Sequence, residues 1–180
     1  VRKEDLGYAA NDRILAMCPG SRVEELNHIL PVLSDIKREM YEHEKGLNFV
    51  IPVAPNIGIE EFMDIALKLG YSVSGDNNIE GIRLVNGMSI EILSIAEAAV
   101  IASGTATLEA ALMSVPMVVL YRMSAASYQF ATQVVKLDNI SLVNLIAEER
   151  VVPEYIQNID AKQVAAVMLE LLHSTDRRAN

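Results

Sequence analysis

The sequence predicts an α/β chain built on a Rossmann-like, doubly wound parallel sheet. Short apolar runs alternate with longer amphipathic stretches from Arg13 to His173, which is the pattern of repeated βαβ units. The runs are apolar throughout, as strands covered on both faces are. Two of them end in small-residue turns that open a helix, where sheets of this class bind ligands. No internal repeat, low-complexity tract or Pro/Gly/Ser-rich linker interrupts the chain, so residues 1–180 read as one domain.

The elements follow in order. Arg13 to Cys18 is an apolar run closed by Pro19-Gly20, and it reads as a strand. Arg22 to about Tyr41 reads as a long helix. Leu47 to Val53 is the next strand, and Pro52 and Pro55 bracket the turn that leaves it. Glu60 to Leu69 is an amphipathic helix stopped by Gly70. Ile82-Arg83-Leu84-Val85 is a short strand, followed by a helix from about Ser89 to Ala96. Ala98 to Ala102 reads as a buried strand, with a helix after it that ends near Met113. Pro116 to Tyr121 is another apolar strand, Ala125 to Leu137 a helix, and Ala161 to His173 the last helix. Such an order brings the turns at Pro19–Arg22, Asn86–Ser89 and Ser103–Thr105 to one edge of the sheet.

Composition removes several function classes. The chain is 51% hydrophobic, yet no stretch supplies the run of about eighteen uninterrupted apolar residues that a membrane-spanning helix requires. The opening Val1-Arg2-Lys3-Glu4-Asp5 is charged and lacks the apolar core of a secretory leader. Val1 in place of Met, and a stop soon after a helix, read as the ends of a piece of a longer protein. A net charge of −9 argues against a general nucleic-acid partner. The single cysteine, Cys18, excludes an intrachain disulfide and reads as a small hydrophobe at a strand end. His28, His43 and His173 lack metal-ligand spacing, so no metal site is expected.

The chemistry concentrates in Ser103-Gly104-Thr105-Ala106-Thr107-Leu108-Glu109. A strand, a small-residue turn and a helix opening make an anion site, because the first helical N–H groups point outward and the dipole favours negative charge. Gly104 lets a phosphate approach the backbone, and Ser103 and Thr105 can cap the helix or bind phosphate oxygens. Glu109 lies one turn past Thr105. A carboxylate there repels phosphate but accepts hydrogen bonds from ribose hydroxyls. Pro19-Gly20-Ser21-Arg22 is the second cluster, with Gly20 for a sharp turn, Ser21 as a cap and Arg22 to clamp a phosphate, or to pair with Glu24 or Glu25. Asn144 is polar within the apolar Ser141–Ile146 stretch; it either bonds a ligand or satisfies a buried backbone group, and the residues alone favour the latter. Arg122 either lines the cleft or pairs with an acid such as Asp138. No phosphate-binding P-loop, dinucleotide glycine fingerprint or nucleophile elbow is present, which disfavours a nucleoside triphosphatase, a dehydrogenase and an α/β-hydrolase.

Three segments together resemble one family. Met17-Cys18-Pro19-Gly20-Ser21-Arg22-Val23-Glu24-Glu25-Leu26, then Ala102–Ala110 with Pro116–Met123, then Ile140–Ala147, are similar in residues and order to the lipid-A-disaccharide synthases. The resemblance implies one half of a GT-B glycosyltransferase, the carboxyl-terminal UDP-sugar-binding domain. It implies transfer of 2,3-diacylglucosamine from UDP-2,3-diacylglucosamine to 2,3-diacylglucosamine 1-phosphate (lipid X), on the cytoplasmic side of the inner membrane of Gram-negative bacteria. Membrane contact is then expected mainly through the amino-terminal domain of the same enzyme.

Carried onto this chain, the resemblance implies donor-binding roles for Gly20, Ser21, Arg22, Ser103, Gly104, Thr105 and Glu109, and catalytic-site roles for Arg22 and Asn144. The family usually has Leu-Pro-Asn where this chain has Leu142-Val143-Asn144. UDP leaves with its charge on phosphates, so hydrogen-bond donors and Arg22 can lower the barrier with no metal or other cofactor. No residue here reads as the base for the acceptor hydroxyl. The essential acids are expected on the other half, leaving this piece a weak UDP binder without activity of its own. Rival readings are a UDP-GlcNAc 2-epimerase, a peptidoglycan GlcNAc transferase, or a non-catalytic nucleotide-binding module.

Overall fold

The computed structural model describes residues 1–134 and 140–173. A short 3-10 turn, Lys3–Leu6, precedes the strands β1 (Arg13–Cys18), β2 (Leu47–Val53), β3 (Val73–Ser74), β4 (Asn78–Ile79), β5 (Ile82–Asn86), β6 (Ala98–Ala102), β7 (Met117–Tyr121) and β8 (Glu154–Ile156). The helices are α1 (Val23–His43), α2 (Gly58–Lys68), α3 (Ser89–Ile95), α4 (Ala106–Leu112), α5 (Ala125–Val134), α6 (Leu142–Ala147) and α7 (Ala161–His173).

One sheet runs in the order β3-β4-β5-β2-β1-β6-β7-β8. From β5 to β8 every pairing is parallel. The order reverses direction at β1, with β2 on one side and β6 on the other. This is the switch point of a doubly wound sheet, and the crevice outside its strand ends is where ligands bind. The expected fold class is the observed one.

Alternate residues of each central strand feed two cores. Leu15 and Met17 of β1, with Val100 of β6, pack against α1, α2 and α7. Ile14, Ala16 and Cys18, with Ala99 and Ile101, pack against α3 and α4. The period of two along a strand sets this division. Helix α1 buries Leu26, Ile29, Leu30, Leu33, Ile36 and Met40, one stripe at helical spacing. Each such side chain contributes about 1.5–3 kcal/mol on burial, enough to carry Pro31 within the helix although its missing N–H costs about 3 kcal/mol.

The expected elements are all present: Arg13–Cys18, Leu47–Val53, Ala98–Ala102 and Ala161–His173 have the bounds read from the sequence, and others have shifted ends. Helix α1 starts at Val23 and reaches His43, and α2 starts at Gly58. Besides the Lys3–Leu6 turn, four elements were not foreseen. The antiparallel hairpin β3–β4 caps the sheet edge with only two residues per strand, too few to show a periodicity. Strand β8 has three residues and joins β7 in parallel. Helix α6 has six, begun by Ser141, whose hydroxyl accepts the Asn144 N–H. The expected end of α5 at Leu137 and the pairing of Arg122 with Asp138 lie outside the described residues, as does Ser174 to Asn180.

Candidate functional site

A cleft of about 680 Å³ opens at the carboxyl ends of β1, β2, β5 and β6. The three turns singled out in the sequence meet there: Gly20-Ser21-Arg22 after β1, Gly87-Met88-Ser89 after β5, and Ser103-Gly104-Thr105 after β6. The adjacency follows from topology, since β1 and β6 are hydrogen-bonded neighbours. Ile140 and Leu142 close one side.

The opening of α4 leaves backbone donors without a partner among the described residues. Ser103 N–H donates to the Leu120 carbonyl, and Thr107 N–H and hydroxyl both bond the Gly104 carbonyl. Between them the N–H groups of Gly104, Thr105 and Ala106 have no partner among the described residues. Thr105 does not cap the helix with its side chain, and the Ser103 hydroxyl donates to the Ile140 carbonyl at 3.1 Å. Both hydroxyls were expected either to cap α4 or to bind phosphate. Neither caps it, and the Ser103 proton is already placed.

The opening of α1 is different. Glu25, in the first turn, reaches back so that one carboxylate oxygen accepts the Ser21 N–H at 2.9 Å and the other accepts from the Arg22 guanidinium at 3.1 Å. Gly20, at φ +106°, makes room for it: a Cβ there would lie 2.2 Å from the carboxylate. A protein anion therefore occupies the backbone donor expected to take a ligand phosphate at Ser21. Ser21 does not cap α1 with its side chain either, because Arg22 holds the cap position. The guanidinium remains open at its other edge, with the side chain 80% exposed. Arg22 is the single cation among the described residues lining the cleft, against the carboxylates of Glu25, Glu91 and Glu109.

Glu109 lies in the cleft wall and accepts a hydrogen bond from the Ser89 hydroxyl at 3.0 Å. That bond joins the starts of α3 and α4 and fixes one carboxylate oxygen. Sequence reasoning placed Ser89 on the right turn without assigning it this partner. Cys18 forms part of the cleft floor, and burial with the nearby Glu109 carboxylate pushes its thiol up to about 12. That disfavours the thiolate a nucleophile needs, in keeping with a small hydrophobe at a strand end.

Asn144 requires a correction. Its side chain is fully buried and is absent from the cleft wall. The amide donates to the Val152 carbonyl at 2.9 Å and to Glu154 at 2.8 Å, and its oxygen accepts the N–H groups of Val151 and Val152. With both ends of the carboxamide engaged, Asn144 has nothing to offer a reacting group directly. The alternative reading, satisfaction of buried backbone, is the one observed. Its partner Glu154 was missed. Burial works to raise the Glu154 carboxyl, but the Ser141 hydroxyl, the Ile140 and Ser141 N–H groups and the Asn144 amide outweigh it and hold it below the ordinary value.

No metal-holding group of three or more His, Cys, Asp or Glu side chains occurs among the described residues, and no described helix is long and apolar enough to cross a membrane. Arg122 is exposed and stands outside the cleft wall.

The family model described as Lipid-A-disaccharide synthetase matches residues 1–180, the whole chain. The chain belongs to the lipid-A-disaccharide synthetase family. Lipid-A-disaccharide synthase of Nitrosococcus oceani is 35% identical over 176 residues, covering 97% of this chain and 43% of that protein. The chain thus spans about two-fifths of the length of the curated relatives it matches. Among solved structures, the glycosyltransferase SnogD from Streptomyces nogalater superposes with a TM-score of 0.60 at 20% identity, over 97% of this chain and 38% of its own. The C-terminal CMP-Kdo binding domain of WaaA from Acinetobacter baumannii gives 0.55 at 17% identity, over 94% of this chain and 84% of its own. These likenesses show a shared glycosyltransferase fold. Membership in the lipid-A-disaccharide synthetase family separates the chain from the epimerase and peptidoglycan-transferase readings, which rest on the same fold.

Proposed function

We propose that residues 1–180 form the donor-nucleotide half of a lipid-A-disaccharide synthase. The full enzyme transfers 2,3-diacylglucosamine from UDP-2,3-diacylglucosamine to 2,3-diacylglucosamine 1-phosphate and releases UDP. The observation that carries this reading is the cleft at the β1/β6 switch point, where N–H groups of Gly104, Thr105 and Ala106 that have no partner among the described residues share one space with the Arg22 guanidinium. Backbone donors and a guanidinium hold a diphosphate and stabilise the charge that develops on it as the glycosidic bond breaks. That chemistry needs no metal. Glu109, held on one oxygen by Ser89, offers the other to ribose hydroxyls. The amino-terminal domain supplies the base for the acceptor hydroxyl, most of the contact with acyl chains, and the seat at the cytoplasmic face of the inner membrane.

The test is the transferase reaction of the full-length enzyme, with Arg22→Ala and Glu109→Ala beside wild type. Loss of a hydrogen bond to a charged group should lower kcat/KM by about ten- to hundredfold in each. Wild-type activity should persist in excess EDTA. An enzyme that prefers UDP-GlcNAc to the acylated donor, or is indifferent to both substitutions, would contradict the proposal.

A further inference from the structure

We infer that Glu154 is a positioning residue for nucleotide binding, its buried carboxylate holding the Ile140–Leu142 segment in place as a wall of the cleft; this rests on the nucleotide-binding reading above. Glu154 is the single carboxylate in the described core, 8% exposed on the edge strand β8. One of its oxygens accepts the Ile140 N–H at 2.9 Å. The other accepts the Ser141 N–H and the Asn144 amide, both at 2.8 Å. Ile140 and Leu142, on either side of Ser141, line the cleft, while Glu154, Ser141 and Asn144 do not. The Ile140 carbonyl in turn accepts the Ser103 hydroxyl in the turn that opens α4. Two hydrogen bonds through Ile140 therefore connect Glu154 on β8 to the Ser103 hydroxyl, in the turn whose next three N–H groups have no partner among the described residues.

A buried charge is a poor way to stabilise a fold, because well-packed apolar side chains of similar volume do as well or better. What the carboxylate adds is direction. Two backbone N–H groups and an amide converge on fixed oxygens, so the loop has one position along the cleft. Asn144 completes the arrangement from the other side by tying Val151 and Val152 to the same carboxylate. Its place beside the site is thereby explained without contact with a ligand.

The experiment uses the full-length enzyme, with UDP titrated by calorimetry and donor kinetics measured in parallel. Glu154→Gln keeps the shape and removes the charge that the N–H groups require. We expect UDP Kd and donor KM to rise about tenfold, with kcat changed much less. Ser141→Ala, a milder variant that touches only the buried part of the network, should weaken UDP about threefold. Ser103→Ala combined with Glu154→Gln should weaken it little more than Glu154→Gln alone, since both act along one chain. A folded Glu154→Gln enzyme whose UDP Kd stays within about twofold of wild type, or strict additivity with Ser103→Ala, overturns the inference. Should Glu154→Gln fail to fold, Ser141→Ala decides, and unchanged UDP affinity there overturns it. A wild-type enzyme that binds no UDP overturns the nucleotide reading itself and this inference with it.

Discussion

Gly20 and Gly104 are both cleft glycines, but the fold requires only the first. Gly20 has a positive φ of +106°, and a Cβ would lie 2.2 Å from the Glu25 carboxylate. Gly20→Ala should therefore lower stability by about 1–3 kcal/mol, read as a fall in melting temperature. Gly104 has no such φ, and the nearest atom to an added Cβ is the Ala102 carbonyl oxygen at 3.9 Å. Gly104→Ala should melt like wild type and bind UDP more weakly, because the methyl group enters space a phosphate would use. Equal melting of the two variants would refute the distinction. Cys18 gives a second check at this scale. With its thiol pushed up to about 12, it should resist iodoacetamide at neutral pH in the folded protein and react only on unfolding. What the sequence located was position: the turns after β1, β5 and β6 line one cleft. Asn144 could not be assigned that way. Its partners Val151, Val152 and Glu154 lie several residues on, across a turn and in a strand too short to show in the hydrophobic pattern. The family resemblance implied a place near the donor; the fold sets its side chain behind the cleft wall, bonded to Glu154 and to the Val151 and Val152 backbone.

Helix α6 and strand β8 are small, and their mutual hold depends on ionisation. Glu154 has its folded-state carboxyl below the ordinary 4.5, through the Ser141, Ile140 and Asn144 hydrogen bonds that overcome the opposing effect of burial. A depressed carboxylate contributes stability that is fully present above the unfolded value and is lost as pH falls through the folded one. Thermal melts should therefore drop steeply below about pH 4.5, and Glu154→Gln, less stable at neutral pH, should lose less over the same range. Parallel curves for the two proteins would remove Glu154 from the account. The Ser89–Glu109 bond belongs to the same scale, since it couples the openings of α3 and α4. Neither pairing is visible in the chain, because each joins segments that only the sheet brings together. The strong strands and long helices were legible because their apolar stripes are long. The β3–β4 hairpin, α6 and β8 were not, because two, three or six residues carry no period.

At the scale of the whole molecule, the sheet order explains the site and the charge explains its limits. The switch at β1 places two helix openings side by side, but one is already answered by Glu25. On the proposed function, the diphosphate goes to the α4 opening, with Arg22 presenting its open edge. The chain carries a net charge of −9, and among the described residues the cleft wall holds three carboxylates and one guanidinium. Such a surface binds an anion weakly without help, so UDP should bind the full-length enzyme more tightly than it binds residues 1–180 alone. The most direct measurement is a titration of the 180-residue chain with UDP, followed by amide NMR, with Arg22→Ala as the comparison. The amides of Gly104, Thr105 and Ala106 should shift together with one Kd, raised about tenfold by Arg22→Ala. Binding that leaves those amides unmoved, or that shifts Ser21 and its neighbours in their place, would contradict the placement of the diphosphate at α4.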